Sequence, residues 1–197
     1  RHVLSVIFLY FLFLENARRI RRQIGFSLVE SLATLVISGV LVGAGVPGFA
    51  SLVANNRVAT EVNSFVSHVH LARSEAIKWR APAILCPSND GQACFTEPQW
   101  HRGYILFIDQ NGNRARDSEE PLIRLSQGAV DAPVAITSSQ SRRLVRFFSD
   151  GTAGGSNLTV TFCDVGDNAE PRAVVISNVG RPRITSQSPS GDELSCS

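Results

Sequence analysis

The sequence predicts an α+β fold: one long N-terminal helix, transmembrane and then amphipathic, packed on antiparallel β-sheet. Three observations carry the prediction. No charged side chain occurs from Ser31 to Asn56. Beyond Asn56, apolar residues recur at helical spacing. After "KWRAP" the chain changes to short β-rich runs separated by Gly, Pro, Asn and Asp turns.

The uncharged stretch is 26 residues long. As helix it measures about 39 Å, more than the ~30 Å hydrocarbon core of a bilayer. It predicts a membrane span. An ordinary secretory signal would have a shorter apolar core and an A-x-A-like exit, and neither is present. The basic cluster "RRIRRQ" just before the span should hold the N-terminal side in the cytoplasm and place everything after about Asn55 outside. Gly39, Gly43, Gly45, Pro47 and Gly48 weaken the middle, so a bend or local melting is expected near Pro47. Gly39 and Gly43 form a close-packing face or simply add flexibility.

Val58, Val62, Phe65, Val69, Ala72 and Ala76 follow at spacings of three and four, with Arg57, Glu61, Arg73 and Glu75 between them. That stripe is the face expected to meet the globular part. His68 and His70 lie two residues apart and so on different helix faces, which argues against a metal pair. The strands are expected in "AILC", "GYILFID", "PLIRL", "VAIT", "RLVRFFS", "NLTVTFC", "AVVIS" and "RPRIT".

Of 19 basic and 17 acidic side chains in 197 residues, five and one fall in the first 25, a local net of +4. The remaining 172 residues hold 14 basic and 16 acidic groups, so any anion site there must be a local cluster and not a broad basic face. Cys86, Cys94, Cys163 and Cys196 form no CxxC pair, and two disulfides in an oxidising compartment fit better than free thiols. Three connectivities are open. Cys86 with Cys94, across the turn-rich "CPSNDGQAC", and Cys163 with Cys196, pinning the last strand and tail, are the expected ones. Chain entropy gives somewhat under ~3 kcal/mol for the first and somewhat over it for the second.

One carboxylate, Glu30, stands at the head of the apolar run "GFSLVESLATLVISGVLVGAGVPGF". A charge at the bilayer centre costs roughly 2.5–3.5 kcal/mol on the mildest scale, so the residue needs a reason or must reach the interface. A basic leader, "GFSLVE" and an apolar helix in that order resemble the class III signal of type IV prepilins and pseudopilins. The resemblance implies a type IV pilin-like fold, cleavage after Gly25 by prepilin peptidase, N-methylation of Phe26, and Glu30 as the fifth mature residue. It further implies that Glu30 pairs with the terminal ammonium of a neighbouring subunit, since an α-amine is largely cationic at neutral pH. The plainer alternative is a Glu snorkelling at the interface of a simple anchor helix. "HVLSVIFLYFLFL", His2 to Leu14, precedes the leader and is too short to span. With no Met in the sequence, residues 1 to about 15 are expected to be an upstream extension of the reading frame or a fragment.

"LCPSNDGQAC", "WHRGYILFIDQNGNRARDSEEPLIRL" and "GRPRI" ahead of Cys196 together resemble the FimT/GspH family of minor pilins and type II secretion pseudopilins. The expected organisation is a leader over 1–25, a transmembrane and assembly helix over 26–54 and a periplasmic domain over 55–197, anchored in the bacterial inner membrane. Arg181 and Arg183, two apart on an extended segment, project to one side about 6.6 Å apart. Pro182 limits ladder bonding there. Gly180, Arg181 and Arg183 match the GRxR pattern of FimT-type minor pilins, and the resemblance links it to DNA binding in natural transformation. The alternative is two surface arginines paired with Asp192, Glu193 or a neighbouring subunit. Arg142, Arg143 and Arg146 offer an extension of the patch.

Asp109, Asn111, Asn113, Asp117 and Glu120 fall at calcium-loop positions, but Arg114 stands where the sharp turn wants Gly. A hairpin turn with a solvated acidic face is the preferred reading. No cofactor is implied. No serine, histidine and acid arrangement, metal-ligand spacing or phosphate-binding glycine loop stands out, so an enzyme is not expected. His101 beside Trp100 reads as the residue that begins a strand. The expected partners are other pilins or pseudopilins, the prepilin peptidase and methyltransferase, the membrane and DNA. Two alternatives remain: a GspH-like structural pseudopilin of a type II secretion system, and a membrane-anchored binding module that never polymerises.

Overall fold

The structure, a computed structural model, describes residues 25 to 194 and residue 196, without the side chains of 44 to 47. The leader before Gly25, including the basic cluster and the His2–Leu14 run, lies outside the described residues. The chain divides into two compact units, one ending at Val46 and one running Pro47–Ser197.

A single helix, α1 (Leu28–Trp79, 52 residues), contributes to both units. In the first unit its apolar side chains are exposed on every side, among them Leu28, Val29, Leu32, Leu35, Val36, Val40 and Leu41. A helix apolar all round is made for a nonaqueous surrounding. By length and composition this one can cross a membrane. The melting expected near Pro47 does not occur, because the helix is continuous there.

In the second unit Val58, Val62, Phe65, Val69, Ala72 and Ala76 are each at most 1% exposed, the whole of the expected stripe. They pack into one core with residues of two sheets. The strands are β1 (Ala83–Pro87), β2 (Gly103–Ile108), β3 (Leu122–Gln127), β4 (Val134–Ser138), β5 (Val145–Phe147), β6 (Leu158–Asp164), β7 (Arg172–Ile176) and β8 (Pro182–Thr185). The first sheet has the order β3-β2-β1-β5 and the second β4-β6-β7-β8. All neighbours are antiparallel.

β1 and β2 are buried at every position, so both faces of the first sheet are covered around them. One face meets α1 and the second sheet through Leu85, Leu106 and Ile108. The other, with Ile84, Ile105 and Phe107, is closed by Cys94 and Leu144. The Cys86–Cys94 disulfide thus ties a cover onto the sheet it leaves. The loop between them is shaped by Asp90, whose carboxylate accepts from the Gln92 and Ala93 amides. Those bonds hold its pKa below the ordinary value. The second disulfide joins Cys163 on β6 to Cys196. Among the described residues no cysteine is free, and both pairings are the expected ones.

"RLVRFFS" forms strand only over Val145–Phe147. Among the described residues its strand partner is β1, which it meets through Leu85, Ile84 and Ala83, and at Phe148 the chain turns, its amide donating to the Thr152 carbonyl.

Candidate nucleic-acid interface

β7 and β8 make a hairpin whose turn is Ser177 to Gly180, closed by the Gly180 amide donating to the Ser177 carbonyl at 2.8 Å. The turn docks on the segment after β5, where the Ala153 amide donates to the Asn178 carbonyl at 2.8 Å. Gly180 has φ +75, and a Cβ there would sit 2.4 Å from the Gly151 carbonyl oxygen and 3.2 Å from the Phe147 ring. Only glycine fits both the conformation and the space. That is the physical content of the first position of "GRPR".

The register sets Ser177 against Arg181 and pairs Val175 with Arg183. Leu158, Val160, Val174 and Ile176 face the core, so the alternate positions, Val175 and Arg183 among them, face outward. Arg181 shares that outward face. Both arginines are exposed, and among the described residues neither forms an ion pair. Among the described residues the expected alternative partners, Asp192 and Glu193, form no ion pair with them, and Asp192 accepts from Ser190.

β8 is an edge strand, and Pro182 sits on it in a defined way. The Arg181 carbonyl accepts from the Ser177 amide and so points into the hairpin. In a trans peptide the following nitrogen points the opposite way, which places the missing N–H of Pro182 on the open edge.

Arg142 and Arg143 do not line up on this hairpin. Arg142 Nη1 donates to the Gly155 carbonyl at 3.1 Å and to the Asn157 side chain. Arg143 Nη1 donates to the Thr96 carbonyl at 2.6 Å. They flank a groove between loops, together with Arg114 and Arg146. Sequence reasoning missed this grouping. It treats Arg114 only as a misfit in the calcium pattern, and no local spacing brings Arg114 next to residues 28 or more positions away.

The residues of the calcium pattern are engaged with one another and with the backbone. Asp117 Oδ2 accepts from the side chains of Asn111 and Asn113, at 2.6 and 3.0 Å. Glu120 accepts from the Gln110 and Asp117 amides. Asp109 is fully buried and lies 3.5 Å from Arg146 Nη2. Among the described residues no group of three or more His, Cys, Asp or Glu could hold a metal. The loop is a hydrogen-bonded connection between β2 and β3 whose acidic groups are not all solvated: Asp109 and Glu120 are buried, Glu120 accepting from backbone amides and Asp109 lying beside Arg146.

A broad hollow of about 730 Å³ lies between α1 and the β2 and β3 side, lined by Arg57, Glu61, Trp100, His101, Tyr104 and Asp131 among others. His101 stands in a single 3₁₀ turn, Trp100–Arg102, that leads into β2. Its Nδ1 is 3.3 Å from both the amide and the carbonyl of Ile136, so this ring nitrogen is engaged with β4. His68 is buried against Tyr104 and His70 is exposed, which separates the two as expected.

A long N-terminal helix, apolar at its start and packed at its end on antiparallel sheets, is the architecture of a type IV pilin-like protein. The chain belongs to the GspH family. Residues 61–180 match the family described as type II transport protein GspH, and residues 20–46 match the prokaryotic N-terminal methylation motif. The pilin-like protein PilA1 of Thermus thermophilus is 33% identical over 165 residues, covering 81% of this chain and 97% of that protein. The crystal structure of the type IV minor pilin FimU of Pseudomonas aeruginosa PAO1 has the same fold, with a TM-score of 0.51 and 20% identity over 71% of this chain and 93% of that one. The methylation motif implies processing by a prepilin peptidase and assembly with other pilins, and the apolar helix implies a membrane anchor.

Proposed function

We propose that this protein is a minor type IV pilin that helps build a pilus and binds DNA without sequence preference during natural transformation, through Arg181 and Arg183. One observation carries the DNA part. A hairpin whose turn admits only glycine presents two outward guanidiniums, two residues apart, that no carboxylate neutralises among the described residues. Fixed arginines of that spacing suit consecutive phosphate contacts.

In this reading the chain is cut after Gly25 and methylated at Phe26, the C-terminal domain lies in the periplasm, and the disulfides form there. Glu30, exposed in the first turn of α1, pairs with the terminal ammonium of the neighbouring subunit in the fibre. A Glu30→Ala variant that enters pili as well as the natural protein would sink that pairing.

The test of DNA binding is a gel shift and salt titration on the full chain in detergent, natural against Arg181→Ala/Arg183→Ala. The expected log–log salt slope is roughly −2 to −4, with binding lost in the double variant. Firm capture then needs several copies in one fibre. No binding at low salt by folded protein would favour the second reading, a structural pseudopilin of a type II secretion system, which the matched family's description supports.

A further inference from the structure

Three loops converge on a groove of about 290 Å³. The β2–β3 loop contributes Arg114, the β4–β5 loop contributes Arg142 and Arg143, β5 contributes Arg146, and the segment after β5 closes it with Phe148, Gly155 and neighbours. Four guanidiniums line it and no carboxylate does. Beyond the first 25 residues the chain carries slightly more acidic than basic groups, so composition does not produce such a cluster by itself.

The grouping is built from below. Arg146 is held by the fully buried Asp109, 3.5 Å from its Nη2, and its guanidinium lies 5.2 Å from the centre of the Phe148 ring. Its Nε is buried and has no hydrogen-bond partner, and neither does either carboxylate oxygen of Asp109, so the two side chains meet as a buried ion pair without a hydrogen bond. Arg142 and Arg143 each commit Nη1 to a loop carbonyl, which fixes the side chains while leaving other donors of each planar fork uncommitted. Stapling of loops accounts for those two nitrogens. It does not account for Arg114, an exposed side chain that also lines the groove.

We infer that this groove is a phosphate-binding site that takes a phosphodiester group of the same nucleic-acid strand held by Arg181 and Arg183. The inference rests on the DNA reading above for its source of phosphate. One segment serves both places. Gly151 and Ala153 receive the β7–β8 turn, while Gly154, Gly155 and Ser156 line the groove. Asp150 stiffens the segment by accepting from the Thr152 amide and hydroxyl, at 2.8 and 2.7 Å. A strand leaving the hairpin edge therefore meets a second cationic site across a short, ordered stretch of chain. Arginine suits the site because a planar fork can give two parallel bonds to one phosphate.

The variant that tests this is Arg114→Gln/Arg143→Gln, which spares the Arg146–Asp109 pair and the Arg142 clamp. The full chain in detergent is titrated with a fluorescent single-stranded oligonucleotide, and anisotropy is read across a salt series. The expected result is about tenfold weaker binding at low salt and a slope shallower by about 1 to 1.5 for two lost contacts. Unchanged affinity and slope in this variant, while Arg181→Ala/Arg183→Ala loses binding, overturns the groove and leaves the hairpin reading intact. A second readout needs no DNA: phenylglyoxal modification of arginines, mapped by mass spectrometry, with pyrophosphate or with sodium chloride of equal ionic strength. Pyrophosphate should protect Arg114 and Arg143 and chloride should not. Equal modification in both overturns the site. Protection in a protein that binds no DNA keeps the phosphate site but overturns nucleic acid as its source.

Discussion

The imidazole of His68, on α1, lies with Nδ1 2.6 Å from the hydroxyl of Tyr104 on β2, inside the seam between helix and sheet. Burial first, and the charge of Arg124 second, hold the His68 pKa below 6.5. Burial also raises that of Tyr104. The folded state therefore prefers neutral His68, and the unfolded chain takes up its proton first as pH falls. Stability from this pair is complete above about pH 6.5 and declines below it until the folded pKa is passed, at about 1.4 kcal/mol per unit of separation. The midpoint of thermal unfolding should fall between pH 7.5 and 5.5, and a His68→Gln variant should show a shallower fall over that window.

Phe65 is the centre of the aromatic cluster, edge-on to Trp100, Tyr104 and Phe162 at 5.3, 5.7 and 5.7 Å. It is 1% exposed. Phe65→Ala should cost about 3–5 kcal/mol by transfer and cavity terms. Calorimetry should then show a midpoint lower by about 6–20 °C.

Gly180 and Gly155 separate two costs. Both have positive φ, +75 and +71, but a Cβ at Gly155 meets nothing within 4 Å whereas at Gly180 it meets a carbonyl oxygen. Gly155→Ala should lose about 1–2 kcal/mol for the left-handed conformation alone. Gly180→Ala should lose more, and should loosen the arginine hairpin, read as faster proteolysis between β7 and β8. Equal losses at the two positions would show that the contact with Gly151 relaxes freely.

The two disulfides close loops of 8 and 33 residues. Chain entropy assigns them about 2.5 and about 3.7 kcal/mol. Chemical denaturation of Cys86→Ala/Cys94→Ala and Cys163→Ala/Cys196→Ala should rank the second pair as the greater loss. The reverse order would mean that the cover over Ile84, Ile105 and Phe107 outweighs loop entropy.

The helix stripe and all eight strands were legible because period and turn chemistry are local properties. Val58 to Ala76 announce one buried face by spacing alone, and short runs between Gly, Pro, Asn and Asp announce strands. The GRPR hairpin was legible in part: alternation puts Arg181 and Arg183 together, while the contact with Gly151 that demands Gly180 comes from a remote loop. The Asp109–Arg146 pair was hidden. Asp109 reads as a turn acid and Arg146 as an alternating strand residue, and only the packing of the β2–β3 loop beside β5 brings them together. Arg114 joins Arg142 and Arg143 for the same nonlocal reason.

Pro182 has a consequence for how copies of this protein can meet. An open strand edge is a template on which another chain can add by backbone bonding, and a pilin is kept at high local concentration with its own kind. By turning a position without N–H outward, beside two like charges at Arg181 and Arg183, β8 refuses that pairing. Polymerisation is thereby steered away from sheet extension, and Pro182→Thr is the substitution that would reopen the route to disordered aggregates.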